Sequence, residues 1–555
     1  MNSHKTNLLI LLFLGVAAFF IQNKVLDANI MEARNIVTAR EMVNEGHWIV
    51  PTMNGELRLE KPPLPTWIAG VVESISPDNI SLQRDMAGLA GLLLMLFMYL
   101  LAYEFSHRYD FAMLSTLVLI TMYNVVMMGR TATWDIYCHA FMLGAIYYLY
   151  KGLIREGTQR KLFLLAGLFL GLSFLSKGPV AFFALLLPFL MTWFVLKNVN
   201  WHQKGWSVFW MIIIMLIMSS FWYVILFIYH HDTVEFVLNK ESTAWINHHV
   251  RPWYYYVSFI SEMGVWAFIL ITAILSPLFR KHDKFSKENI FFICWMLVQV
   301  VLLSCFPEKK KRYLLPVTIP VSLAVASMLI YWIDLFRKNT NKSLARTLYK
   351  INAYIIDLLV FVIPVALYFF VYKKGFMSLA LFIILTILLL SIAVYLLKSI
   401  SRLKVKRLVY GVVAIFFIVE VLMMPTIGEL FKNPKTNTIA NTRNMEEIKD
   451  IPFYHLQNDF LRIEIVYSAH RHIYEVAVKD SALVMTPPKT IVLMTRLPIE
   501  QELSKEELNR YNITFLGHFD DNRQVRRDTR IRSVFDFDLN ILRPKSINNL
   551  ESESK

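Results

Sequence analysis

The chain of 555 residues is poor in cysteine. Its three cysteines, Cys138, Cys294 and Cys305, lie in or beside apolar segments, and none forms a CxxC pair. Neither a disulfide framework nor a zinc knuckle is signalled. Charge is scarce as well: 18% of the residues are Asp, Glu, Lys or Arg, against about a quarter in a soluble globular protein. That argues against an ordinary soluble domain. Internal repeats are missing, as is any low-complexity tract beyond the polar end SINNLESESK. The start, MNSHKTNLLILLFLGVAAFFIQNK, lacks a small-x-small cleavage site and reads as a retained first helix rather than a signal peptide.

What is present is apolar. Hydrophobic residues make up 56% of the chain, and the mean hydropathy is +0.45. About thirteen apolar runs approach the length that crosses a bilayer. They lie near 7–22, 86–104, 111–128, 133–150, 162–175, 179–196, 207–228, 256–278, 290–305, 314–332, 351–371, 377–397 and 408–425. The net charge is +15, yet no nucleic-acid-binding motif stands out, so no nucleic-acid partner is expected. The basic residues instead mark alternate loops. With the N-terminus inside, Arg108, Lys151, Arg155, Arg280, Arg337, Lys398 and Arg407 all fall on cytoplasmic junctions, as the positive-inside rule requires. Residues 23–85, 229–255 and the tail then lie outside.

The first outer loop is patterned rather than linker-like. From Met31 to Glu45, polar residues recur at helical spacing opposite Ile36, Ala39 and Val43, which predicts an amphipathic helix on the membrane surface. A second helix is expected over Leu64–Ser74, with Pro63 near its start. The tail changes character: TIVLMT (490–495) and NITFLGHF (512–519) read as strands, and SKEELNRY (504–511) opens like a capped helix. Two blocks follow: 1–428, a transmembrane domain that includes the 23–85 loop, and 429–555, a small soluble α/β domain.

Charges held in or beside a membrane are functional candidates. Four clusters stand out on the outer side. Glu32 and Arg34 sit near the start of the first amphipathic helix, where Glu32 is either a capping acid or a functional carboxylate. Glu60-Lys61-Pro62-Pro63 is stiffened by its prolines, so Lys61 would be held in place, as a phosphate contact or as a snorkelling lysine. Arg130 and Asp135 lie in MMGRTATWDIYCH, and Lys177 lies in LSKGP. The run 309–312 in CFPEKKKRYLLP includes Lys310 and Lys311 and violates the positive-inside trend, as an anionic ligand would explain. The loop WINHHVRPWYYY adds His248, His249, Arg251 and aromatic rings. Adjacent histidines diverge on a helix and make a weak metal signal, so no metal is assigned to them. A divalent metal ion remains open as a cofactor.

The stretch EARNIVTAREMVNEGHWIVPTMNGELRLEKPPLPTW resembles the first outer loop of bacterial aminoarabinose transferases, GT-C glycosyltransferases related to protein O-mannosyltransferases. RTATWD, LSKGP, HHVRPWYYY and KKKRYLLP follow in the family's order, so the likeness spans about residues 7–335. The resemblance implies a GT-C fold of about thirteen transmembrane helices with an outer C-terminal domain. It implies a sugar donor linked to undecaprenyl phosphate and an acceptor such as lipid A at the outer face of the bacterial inner membrane. Position by position, it implies that Lys61, beside Glu60, contacts the polyprenyl phosphate. Arg251 becomes a second phosphate contact with His248 or His249 nearby, Asp135 the acid at the start of the fourth helix, and Tyr313 a site tyrosine. One departure stands out: the family's acidic doublet reads Met31-Glu32 here, and a tyrosine after the arginine is Asn35. Glu32 takes over the missing acid's role, the mechanism leans on Asp135, or the substrate differs.

The reading is an α-helical polytopic glycosyltransferase with Glu32 and Asp135 as candidate catalytic carboxylates. Its partners are a polyprenyl-phosphate sugar, membrane lipids, and a lipid A, glycan or protein acceptor. Within the class, a protein hydroxyl or a surface glycan is an alternative acceptor. From another class, a lipid-linked sugar flippase is the rival, though no inverted repeat supports it.

Overall fold

The computed structural model describes residues 4–196, 201, 203–232, 234–235, 250–280, 286–338, 343–433, 437–485, 489–523 and 532–545. These divide into two compact units. The first comprises 1–25, 59–72 and 78–427, and the second 26–58, 73–77 and 428–555.

The first unit is helical. All thirteen apolar runs fall on helices. Among the described residues, seven helices are long and apolar enough to cross a membrane, or up to nine if each bent pair is one span. The remaining segments are shorter or carry charge, as α7 (Trp134–Ile154) does with Asp135 and Lys151. The chain opens with α1 (His4–Phe20), and α3 (Leu64–Ile75), α4 (Ile80–Ser106), α5 (Tyr109–Ile120) and α6 (Tyr123–Gly129) precede α7. Helix α8 (Arg160–Lys177) follows it. The α5–α6 pair bends by 73°, and Trp253–Glu262 bends by 94° into Gly264–Leu278. Gly264 turns the chain at φ +59. Gly91 and Gly129 admit the buried Phe19 ring, because a Cβ on either would come within 2.8 and 2.5 Å of it.

Charge pairs gather loops as the alternation predicts. Arg108 bonds Asp110 at 2.9 Å and Asp334, while Lys151 bonds Glu104 at 2.7 Å. All of these come from junctions assigned to one face. The second amphipathic helix is present as α3, with Trp67 N–H bonded to Pro63 O. Its Val71 and Ile75 are exposed, as an interfacial helix requires.

The second unit holds a five-stranded mixed sheet. Short strands β1 (Thr52–Met53) and β2 (Glu56–Leu57) form a hairpin of their own. The sheet strands are β3 (Phe453–Leu456), β4 (Ile473–Val476), β5 (Ile491–Thr495), β6 (Tyr511–Asp520) and β7 (Asp536–Pro544), in the order β4-β3-β5-β7-β6. Strand β3 is parallel to β4 and β5, and β7 is antiparallel to β5 and β6. Both strands expected in the tail are thus present. The expected helix over 504–511 is cut to Lys505–Leu508, capped by Ser504 on Glu507 N–H, because the chain extends into β6 from Tyr511.

The first amphipathic helix, α2 (Ile30–Asn44), is present but packs inside protein. Ile36, Ala39 and Met42 are buried, and Val37 joins Ile465, Val466 and Ile473 in the core of this unit. The unit therefore recruits 26–58 from the first loop, where a plain cut at 428/429 was expected. Apolar residues that suit a membrane surface also suit the outside of a sheet, and periodicity alone does not separate the two.

Candidate functional site

Within the first unit the sequence motifs converge on the start of α7. Thr133 precedes the helix without a side-chain cap bond, and Asp135 stands in its first turn, where the helix dipole favours a carboxylate. Lys177, the last residue of α8, donates from Nζ to Asp135 Oδ1. Both side chains are buried. Asp135 Oδ2 accepts no hydrogen bond. A buried ion pair of this kind holds both charges ready and fixes their geometry, since breaking it leaves a bare charge in a low-dielectric setting.

Gly178 follows at φ +68, and a Cβ there would lie 4.0 Å from Pro62 Cγ. LSKGP and EKPP are therefore neighbours, which brings half-buried Glu60 and Lys61 beside the Lys177 turn. The 305–316 segment closes on the same place. Tyr313 lies under three cations: Lys177 Nζ at 5.4 Å, Lys310 Nζ at 5.9 Å and the Arg312 guanidinium at 5.7 Å from the ring centre.

The basic run is largely compensated. Lys309 donates to the carbonyls of Arg251 and Phe306. Lys310 pairs with Glu308 at 2.5 Å and Lys311 with Glu262 at 2.7 Å. Arg312 keeps a buried Nε without a hydrogen bond. Arg251 is tied by its backbone, its N–H bonding Pro307 O at 3.1 Å. Its side chain is exposed and takes part in none of the ion pairs among the described residues. Tyr256 pins the same loop, its hydroxyl donating to Lys310 O and accepting from Lys310 N–H. His248 and His249 lie outside the described residues.

A small cavity of about 50 Å³ opens here. Asp135, His139, Tyr256, Glu308 and Tyr313 form its polar lining, and Val180, Phe183, Ala184, Leu303 and Phe306 its apolar lining. The apolar wall suits a hydrocarbon, and the cations a phosphate beside it. His139, Tyr256 and Glu308 were not singled out from sequence, whereas Arg312 belongs to the 309–312 run that was. His139 carried a signal, since it stands four residues after Asp135 on one helix face.

The remaining candidates belong to the second unit. Glu32 is buried in a capping box: Asn29 N and Nδ2 donate to its Oε2 at 3.1 and 2.8 Å, and Glu32 N donates back to Asn29 Oδ1. Arg34 lends its carbonyl to Thr38 and Arg58. In the first unit, Arg130 is a packing residue, paired with Glu420 at 2.8 Å and bonded to Ala18 O.

Comparison with known proteins gives a consistent picture. A family model described as dolichyl-phosphate-mannose-protein mannosyltransferase matches residues 60–224. The undecaprenyl phosphate-alpha-4-amino-4-deoxy-L-arabinose arabinosyl transferase of Photorhabdus laumondii is 26% identical over 316 residues, 53% of this chain and 54% of that protein. A second such transferase, from Proteus mirabilis, is 26% identical over 346 residues, 58% of each chain. The chain thus spans about half the length of the curated relatives it matches. The crystal structure of ArnT from Cupriavidus metallidurans bound to undecaprenyl phosphate aligns with a TM-score of 0.68 at 12% identity, over 97% of this chain and 98% of that one. Its apo form aligns at 0.61 and 13% identity, over 97% of each chain. The resemblance read from the motifs is found again in these matches. The fold is that of a multi-pass helical membrane protein with a small strand-containing C-terminal domain.

Proposed function

We propose that the chain is a membrane glycosyltransferase that moves a sugar from a polyprenyl-phosphate carrier to an acceptor at the outer face of the bacterial inner membrane, with a lipid A-type lipid as acceptor. The observation that carries this reading is the buried Asp135–Lys177 pair beside a cavity lined by Asp135, Tyr313 and an apolar wall, with Lys177, Lys310 and Arg312 gathered around the Tyr313 ring. The names of the relatives and the bound undecaprenyl phosphate of the ArnT structure support it.

The reaction is a displacement at the sugar C1. An acceptor oxygen forms the new bond to C1 while the bond from C1 to the phosphate oxygen breaks. The electron pair leaves with polyprenyl phosphate. A phosphate oxygen attacks as an anion, whereas a hydroxyl gives its proton to a carboxylate. Asp135 is that carboxylate: it lines the cavity, and its Oδ2 is not spent on a hydrogen bond. Glu32 is the alternative, with Oε2 already committed to its helix cap. Lys61, Arg251 and Arg312 stabilise the charge that develops on the leaving phosphate, and Lys177 holds Asp135 in position. Tyr313 carries the cations and shapes the pocket floor. The active cavity and the C-terminal unit face the periplasm in this reading, as the loop charges require.

A protein hydroxyl acceptor is the second reading, favoured by the family model over 60–224. Mass spectrometry of lipid A, glycolipids and glycoproteins from cells with and without the gene tests both. Loss of one sugar mass from lipid A supports the first. Loss from a glycoprotein supports the second. Unchanged glycoconjugates with lipid-linked sugar accumulating on the inner leaflet contradict both and indicate a flippase.

A further inference from the structure

The second unit carries a cluster that the transferase reading does not use. Glu41 and Glu45 stand one turn apart at the end of α2, with Glu45 as the C-cap. Glu41 is buried and held by three donors: Thr52 Oγ1 at 2.6 Å, Asn54 N at 2.5 Å and Gly55 N at 3.2 Å. Those amides reach it because Asn54 and Gly55 turn the β1–β2 hairpin at φ +57 and +80. Asn54 also exchanges two hydrogen bonds with the backbone of Ile473, at 2.8 and 2.9 Å. That clamp sets the preceding residue, His472, whose ring stacks on Tyr474.

His472 Nε2 lies 2.6 Å from Glu45 Oε1. Its Nδ1 is shut off from solvent, makes no hydrogen bond and lies 3.8 Å from Glu41 Oε1. That gap is too long for a hydrogen bond. It suits two ligands that each sit about 2 Å from a shared ion. With Nε2–H donating to Glu45 Oε1, Nδ1 is the lone-pair nitrogen. A carboxylate that orients a histidine for a metal is a recurrent arrangement. One donor atom from each of Glu41, Glu45 and His472 lies within 4.8 Å of the others. His47 Nδ1 is committed to Thr52 Oγ1 at 2.8 Å and stays outside the ligand set.

We propose that Glu41, Glu45 and His472 form a binding site for one divalent transition-metal ion of the zinc class. Glu41 and His472 Nδ1 are the inner ligands, Glu45 fixes the ring, and water completes the shell. The imidazole donor selects zinc-type ions over calcium or magnesium, which take all-oxygen sets. Glu45 and His472 are partly exposed, so an ion has a way in. The ion ties α2 to the residue before β4, and so staples the recruited first-loop segment to the sheet of its own unit. The inference is independent of the transferase reading.

The test uses the purified full chain in detergent, stripped with a chelator and titrated with zinc chloride. Calorimetry and metal analysis after dialysis read the binding, and thermal unfolding reads its effect. The expected result is one zinc per chain, a midpoint raised by about 3 °C or more at saturation, and affinity at least about tenfold weaker in His472→Ala and Glu45→Gln. If His472→Ala does not fold, the partly exposed Glu45→Gln decides alone. Wild-type affinity in the folded variants, or no zinc retained after dialysis, overturns the proposal. A histidine that merely bridges two carboxylates gives that second outcome.

Discussion

Two acids begin two helices in this chain, and they do different work. Glu32 in α2 sits in a capping box and spends Oε2 on the backbone and side chain of Asn29. Asp135 in α7 has no part in a side-chain cap. It is held by Lys177 from another helix, lines a cavity and leaves Oδ2 unbonded. Both fit the rule that carboxylates favour helix starts. What separates them lies elsewhere in the sequence: a partner three residues away for Glu32, and one 42 residues away for Asp135. Local pattern nominates an acid, and long-range neighbours assign its job.

That contrast can be broken in order of expected effect. Asp135→Asn should lower sugar transfer by about 10²–10⁴-fold, measured on purified protein with a polyprenyl-phosphate sugar, and should also lower the unfolding midpoint because it strands the buried Lys177. Lys61→Ala should cost about 10²–10³-fold by removing a cation from the leaving phosphate; wild-type transfer by this variant would remove its role. Glu32→Gln sharpens the comparison most. Glutamine serves a capping box as well as glutamate, so transfer should stay within about threefold. A loss matching that of Asp135→Asn would make Glu32 the base.

Stability changes are smaller and sort the bystanders. Arg130→Ala strands Glu420 as a buried charge and should cost about 3 kcal/mol, read as a lower unfolding midpoint without selective loss of turnover. Asp521 gives the smallest effect. Burial pushes its carboxyl up to about 6. An acid raised in the folded state favours folding below its unfolded value, and that advantage is lost as the pH rises through 6. Asp521→Asn should therefore stabilise the C-terminal unit by at most about 3 kcal/mol at pH 8 and by little at pH 4.

Much of the membrane unit was legible because long apolar runs carry their own evidence, and each falls on a helix. The strands at Ile491–Thr495 and Tyr511–Asp520 were legible for the same reason, a short apolar run bounded by turns. The placement of α2 was not. Its apolar face fits lipid or sheet equally well, and only the distant Ile465 and Ile473 decide between them. At the site, Asp135, Lys177 and Tyr313 could be named from their motifs, but not their mutual contacts. The basic run at 309–312 looked like four free cations. Glu308 and Glu262 compensate two of them, and Glu262 is far enough away in sequence to be invisible to pattern reading.

The most direct test of the account is single-turnover release of polyprenyl phosphate by the protein in nanodiscs, wild type beside Asp135→Asn. The account predicts that wild type breaks the sugar–phosphate bond when acceptor lipid is present, and that Asp135→Asn does so at least about 10²-fold more slowly. Equal rates in the two proteins, or a wild type that leaves that bond intact, would contradict it.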